Sequence, residues 1–299
     1  MITGTFLDEI SHDIPTANWD RLDWARDFEG MKEFGIDTVI LIRAGYQDRA
    51  TFNSRVLRDH HGYLIVQDDL VEMFLELAEK NGMKFFFGTY DSGKYWLSGQ
   101  PQKEVDLNRA FTEEVWEKYG KSPAFQGWYI SHEINSFDEN VMRVYEQLAT
   151  HLRGLAPLPI LISPYVRGSK QFENAISLKE HEAEWEQVFA RIEGLVDIVA
   201  FQDGQVHFHE LKDYLQVNTS LARKHGLTSW SNVESFSRDV HIKFPPLDWP
   251  KLRFKVDAAI DSGVDKIITF EYSHFMSQYS IFPSAGNLRR SYMKHYRNR

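Results

Sequence analysis

The chain has 299 residues, no cysteine, and 43 acidic against 34 basic side chains, for a formal charge of -9. Disulfides and thiolate metal centres are therefore excluded, and a field of that sign disfavours nucleic acid and anionic membrane, both of which call for clustered Lys and Arg. Hydrophobic residues make up 42%, with 21 Phe, 13 Tyr and 8 Trp, enough for a packed core, yet no apolar run reaches the roughly 20 residues of a membrane helix.

The amino-terminal residues 1–9 lack the basic start and apolar stretch of a secretory leader, which points to a cytoplasmic chain. Thr3 to Asp8 reads as a first strand, and Asn18 as the cap of a helix from Trp19 with Leu22, Ala25 and Phe28 on one face. Asp37 to Arg43 is a second strand, and the long connection Ala44 to Val66 leads to a helix from Leu70 to Glu79 capped by Asp68 or Asp69. Strands follow at Lys84 to Tyr90, Phe125 to Glu133, Pro159 to Tyr165, Asp197 to Asp203, Thr228 to Glu234 and Lys266 to Tyr272. Pro250 suits the opening turn of a helix containing Phe254, Val256 and Ile260, and a last helix runs from about Ser284 to Tyr296. Its basic residues Arg289, Arg290 and Lys294, with Arg297 just beyond, read as a solvated face.

Gly35, Gly82, Gly120, Gly154, Gly194, Gly226 and Gly263 each close a helical pattern just before a strand, as helix-terminal glycines do. Eight β/α units without a linker predict a single (β/α)8 TIM barrel of the α/β class across residues 1–299. A doubly wound open sheet is the alternative. Helix-to-strand connections are short, while strand-to-helix connections are long and rich in polar and aromatic residues. In a barrel those loops carry the active site.

The strand ends bear Asp8 and Glu9, Arg43, Tyr90 and Asp91, Glu133, Tyr165, Gln202 and Asp203, Glu234, and Glu271. Charges are costly within an apolar layer unless paired or used. Glu133 closes Gly127-Trp128-Tyr129-Ile130-Ser131-His132-Glu133-Ile134-Asn135 on strand four, and Glu234 closes Thr228-Ser229-Trp230-Ser231-Asn232-Val233-Glu234 on strand seven. In these two positions the chain resembles the clan A glycoside hydrolases. The resemblance implies an acid/base at Glu133, a nucleophile at Glu234 and a retaining mechanism, in which one carboxylic acid protonates the leaving oxygen and the other carboxylate attacks. That clan usually has asparagine before its strand-four glutamate. Here His132 stands there and Asn135 follows two residues after Glu133, so either His132 takes over as the hydrogen-bonding partner or the sugar is held differently, and both His132 and Asn135 are expected in the substrate-binding set. Arg43, Tyr90, Asp91, Tyr165, Gln202, Asp203, Trp230, Glu271 and Tyr272 complete the expected substrate-binding set, and Tyr46, Tyr95 and Trp96 are further aromatics for stacking.

From Gly4-Thr5-Phe6 through Gly127-Trp128-Tyr129-Ile130 and Phe201-Gln202-Asp203-Gly204 to Phe270-Glu271-Tyr272, the chain also resembles the domain-of-unknown-function 4434 family of glycosidase-like barrels. Together these imply a glycosidase with a carbohydrate substrate, no cofactor, and neither nucleic acid nor membrane as partner. The oligomeric state stays open. Two other readings stand beside it. One is a metal-dependent isomerase or hydrolase using Asp203, Glu234, Glu271, Glu133 and His132, with His207 and His209 as weaker ligand candidates. The other is a carbohydrate-binding barrel without turnover.

Overall fold

The computed structural model describes residues 1–11, 14–238 and 244–297. Eight parallel strands form a closed barrel, each paired with its neighbours in chain order and the first with the last. They are β1 (Ile2–Leu7), β2 (Thr38–Leu41), β3 (Lys84–Gly88), β4 (Phe125–Tyr129), β5 (Ile160–Ile162), β6 (Ile198–Gln202), β7 (Thr228–Glu234) and β8 (Lys266–Phe270). The helices are α1 (Arg21–Phe34), α2 (Arg55–His61), α3 (Leu70–Asn81), α4 (Pro101–Tyr119) and α5 (Glu139–Leu155). They continue with α6 (Leu178–Ile192), α7 (Phe208–Lys224), α8 (Trp249–Asp261), the single turn α9 (Tyr272–Phe275) and α10 (Pro283–Tyr296). This is the TIM barrel that the β/α rhythm predicts.

Side chains alternate across a strand, and the barrel sorts them into two cores. Phe6, Ile40, Phe86, Tyr129, Leu161, Ala200, Ile268 and Phe270 face inward, while their sequence neighbours, such as Val39, Trp128, Val199 and Ile267, pack outward against the helices. Small residues are needed where the interior narrows: a Cβ on Gly127 would sit 2.2 Å from the Phe86 ring. Among the described residues, no helix is long and apolar enough to cross a membrane.

Several sequence expectations are corrected. The cap of α1 is Asp20, whose carboxylate accepts from Leu22 N at 2.7 Å and Asp23 N at 3.0 Å, while Asn18 takes a positive φ of 54° two residues earlier. Leu22 is exposed, and the buried face of α1 is formed by Trp24, Phe28 and Met31. Asp69 caps α3. Gly154 does not end its helix; α5 runs on to Leu155 and stops at the extended Ala156, because Pro157 drives its predecessor out of the helical region. In α8, Phe254 and Ile260 are exposed, and Leu252, Val256 and Ala259 face the core.

The basic tail is partly structural. Arg289 donates to the Tyr272 hydroxyl at 3.0 Å, and Arg297 donates twice to Phe34 O, the carbonyl end of α1. The connection after β2 also has structure of its own. It contains α2 and a small sheet of Gly45–Tyr46, Arg49–Ala50 and Tyr90–Asp91, which ties the loops after β2 and β3 together. In the connection after β7, residues 239–243 lie outside the described residues.

Candidate active site

The polypeptide stays extended past the end of β4, and this carries Glu133 to the mouth. Thr89 N donates to Tyr129 O at 2.9 Å, Ser131 N to Thr89 Oγ1 at 3.1 Å, and Tyr165 N to Ile134 O at 3.0 Å. Glu133 is thus four residues beyond the strand, not its last residue. The alternation of β4 persists there: Tyr129 faces the barrel interior, and its hydroxyl donates to Glu133 Oε1 at 3.1 Å. Arg43 reaches the same oxygen at 3.7 Å.

Glu234 ends β7 on the inward side, 2% exposed. Arg238 holds it with a two-pronged contact, Nε to Oε2 at 2.9 Å and Nη2 to Oε1 at 2.7 Å. The Arg238 guanidinium lies over the rings of Phe236 and Phe244, so the fork is braced from behind. The carboxyl group also rests on Gly204, where a Cβ would stand 1.8 Å from Oε2.

Both glutamates line one cavity of about 440 Å³ at the carboxyl ends of the strands, within the size range of small-molecule sites. Arg43, Asp91, Tyr165 and Gln202 line it as the sequence expects. So do Tyr46 and Trp96 among the stacking aromatics. Asp91 is a hub: Oδ1 accepts from Trp96 Nε1 at 2.8 Å and Gly93 N at 2.8 Å, and Oδ2 faces Arg43 Nε at 3.4 Å. Burial alone would weaken proton binding by Arg43, but Glu133 and Asp91 overcome it and raise its affinity for its proton.

The remaining expected residues lie elsewhere, and strand alternation explains most of them. His132, next to the inward Glu133, points outward and bonds Glu104 Oε1 of α4 through Nε2 at 2.9 Å; it does not stand in for the missing asparagine. Asp203, next to the inward Gln202, turns to α8, where Oδ1 accepts from Lys255 Nζ at 2.7 Å and Glu234 N at 3.0 Å. Burial raises the pKa of that carboxyl group and Lys255 opposes the rise. Trp230 faces inward but low in the barrel, against Phe86 and Lys266, two inward positions beneath Glu234.

Glu271 caps α9 and meets His274 Nδ1 at 2.7 Å, while His274 Nε2 meets Pro15 O at 2.7 Å. With an acceptor at each ring nitrogen, His274 is doubly protonated, and its pKa is about 9 despite burial, with Glu271 the main cause of the rise. Tyr272 is buried against Phe34 of α1, and Tyr90 bonds Gln47 O at 3.0 Å and His61 Nε2 at 3.0 Å in the small sheet. Asn135 is half-buried beside Ser136 and does not line the cavity.

The metal-ligand set envisaged from sequence is not gathered. Asp203, Glu271 and His132 are committed to Lys255, His274 and Glu104 respectively. Among the described residues, one trio has ligand spacing, Asp91, Glu104 and His132, with donor atoms within 4.8 Å of one another. Arg43 already supplies Asp91 with a cation, and Ser92 with His132 satisfies Glu104. His207 and His209 stack on each other at the start of α7, away from the cavity lining.

Sequence reasoning missed Ser163, Gln205, Asn232, Phe236 and Arg238. Counting inward positions back from Glu234 by twos would have found Asn232, and the same count along β5 finds Ser163. The others depend on loop geometry.

Comparison with solved structures agrees with this architecture. A crystal structure described as a "putative alpha-L-fucosidase" from Bacteroides thetaiotaomicron VPI-5482 matches at 45% identity with a TM-score of 0.96, covering 100% of this chain and 94% of that one. An endo-1,4-beta-D-mannanase from Thermotoga petrophila RKU-1 matches at 11% identity and a TM-score of 0.60, covering 98% and 99% of the two chains. A beta-galacturonidase of glycoside hydrolase family 2 from Eisenbergiella tayi matches at 12% and 0.59, over 98% of this chain and 51% of that one. At such low identity, the last two show a shared fold alone. No curated protein matches the chain. The sequence signature, the closed barrel and a family match spanning residues 2–282 agree, and the chain belongs to the domain-of-unknown-function family DUF4434.

Proposed function

We propose that this protein is a glycoside hydrolase in which Glu133 is the general acid/base and Glu234 the nucleophile of a retaining mechanism. The observation that carries the reading is that two glutamates from β4 and β7 line one cavity walled by aromatic and polar side chains, each with a guanidinium beside it. In the first step the Glu133 carboxylic acid gives its proton to the departing glycosidic oxygen while Glu234 attacks the anomeric carbon. Arg238 must yield one Glu234 oxygen for that attack. It can remain on the other and stabilise the departing carboxylate in the second step. Water, deprotonated by Glu133, then releases the sugar with its original anomeric configuration. Tyr129 and Arg43 orient Glu133 throughout.

The first substrates to try are aryl alpha-L-fucosides, because the relative at 45% identity carries that description. Glu133→Gln and Glu234→Gln are each expected to abolish turnover nearly completely while the melting temperature is preserved. Wild-type rates in either variant remove the assignment. Proton NMR of the first-formed anomer checks retention, and inversion would leave the glutamate pair but overturn the nucleophile role. The two-pronged hold of Arg238 on Glu234 favours, as a second reading, a barrel that binds carbohydrate without cleaving it. Saturable binding with no hydrolysis across a broad glycan panel would select that reading.

A further inference from the structure

Two amide side chains in the cavity, Gln202 and Asn232, are held by their NH2 groups. Ser163, just beyond β5 and 2% exposed, is the device. Its hydroxyl donates to Ala200 O at 2.7 Å, which commits the only hydrogen on Oγ. Oγ can then only accept, and Asn232 Nδ2 donates to it at 3.2 Å. The Ser163 carbonyl accepts from Gln202 Nε2 at 2.9 Å. Rotating either amide by half a turn would set oxygen against an acceptor, so both NH2 groups are held on the serine. Among the described residues, Asn232 Oδ1 is buried and finds no partner, and the same is true of Gln205 Oε1 in the same cavity lining. A buried acceptor left unmet is costly, so these oxygens call for a donor from the cavity.

The cations tell the same story. Among the described residues lining the cavity, the guanidiniums are Arg43, engaged by Asp91 and Glu133, and Arg238, engaged by Glu234. An anionic ligand would have to displace a protein carboxylate from its partner and leave that charge buried and uncompensated.

We infer that this site takes a neutral sugar, read through its hydroxyl donors by Gln202 and Asn232, and rejects uronic acids, with Ser163 the positioning residue that sets this preference. The inference rests on the glycosidase reading for the identity of the ligand as a sugar. Selectivity arises because a uronate carboxylate can donate nothing to a fixed amide oxygen and meets the resident carboxylates of Asp91 and Glu234.

The test compares neutral p-nitrophenyl glycosides with the uronides of matching stereochemistry. Hydrolysis is followed with the wild type, and binding of the corresponding methyl glycosides to Glu133→Gln is measured by calorimetry. The neutral member of the best pair is expected to win by about 100-fold, the upper end of what one buried polar group left unpaired costs. Ser163→Ala frees Asn232 to rotate and is expected to cut that ratio by about tenfold, through KM, with kcat nearly unchanged. A purely structural loss would lower both substrates alike. A uronide that binds as well as its neutral counterpart overturns the inference, as does an unchanged ratio in a folded Ser163→Ala. Should that variant not fold, the wild-type ratio still decides. Selective binding of neutral sugars without hydrolysis would sink the hydrolase reading and leave this inference standing. Failure of every sugar to bind sinks both.

Discussion

The contact between Gly204 and Glu234 offers a sharp test of which carboxylate works in the cavity. The three atoms nearest a Cβ built on Gly204 all belong to the Glu234 carboxyl group, at 1.8, 2.3 and 2.5 Å. Gly204→Ala therefore forces that group back by roughly 1.5 Å before an ordinary van der Waals contact is restored. The carboxylate has little freedom to give way, since Arg238 grips both oxygens and the Glu234 amide is tied to Asp203. Misplacing a reacting group by about 1 Å costs on the order of 100-fold in rate, equivalent to about 2.7 kcal/mol of barrier. The assay is kcat on the best aryl glycoside, with a thermal melt to show that the variant folds. Because both changes act on one group, Gly204→Ala combined with Glu234→Gln should be no slower than Glu234→Gln alone. A folded Gly204→Ala enzyme with wild-type kcat would refute the reasoning, because a displaced Glu234 could not then be the nucleophile.

Other consequences follow from the same geometry. Removing the ammonium in Lys255→Met strands the buried Asp203 and is expected to destabilise the protein by about 3 to 5 kcal/mol, measurable by urea unfolding; a loss below 1 kcal/mol would mean that Asp203 finds another partner. Tyr272→Phe deletes a hydroxyl that meets Arg289 on the helix side of the barrel, so stability should drop by about 1 kcal/mol with KM unchanged, and a raised KM would restore Tyr272 to the substrate site. Stability should also fall with rising pH. Burial raises Asp27 and Glu9 to about 7, and Glu271 beside His274 holds that imidazole at about 9. All three bind protons more tightly folded than unfolded, so the stability from Asp27 and Glu9 is complete only below about pH 4 and lost through about 7. That from His274 is complete below about 6.5 and lost through about 9. Melting temperatures across pH 4 to 10 check this, and Asp27→Asn should flatten the step near neutrality. A stability that climbs over that range would contradict the burial of these groups.

The strand-to-helix rhythm, the glycine stops and the caps are local signals, written in a few consecutive residues, and they were enough to announce eight β/α units and the end of the barrel that bears the site. Gly35 and Gly82 mark true helix ends because each adopts the left-handed conformation that glycine tolerates. Gly154 shows the limit of that reasoning, since Pro157 two positions past the helix overrides it. Glu133 and Glu234 were legible because both stand near strand ends, and alternation from Tyr129 and Trp230 carries their parity to the mouth.

Tertiary structure alone decided which neighbours share the cavity. His132 and Asp203 sit one residue from cavity-lining groups and face the helices, where Glu104 and Lys255 hold them; their partners are 28 and 52 residues away in sequence, and no local pattern names them. Trp230 has the right parity and the wrong height, a matter of strand register across the barrel. Arg238 and Ser163 act through bonds formed only when separate loops or strands are brought together. Local propensity thus set the elements and the face each strand residue takes, whereas pairing register and side-chain partners across the closed barrel set the chemistry of the site.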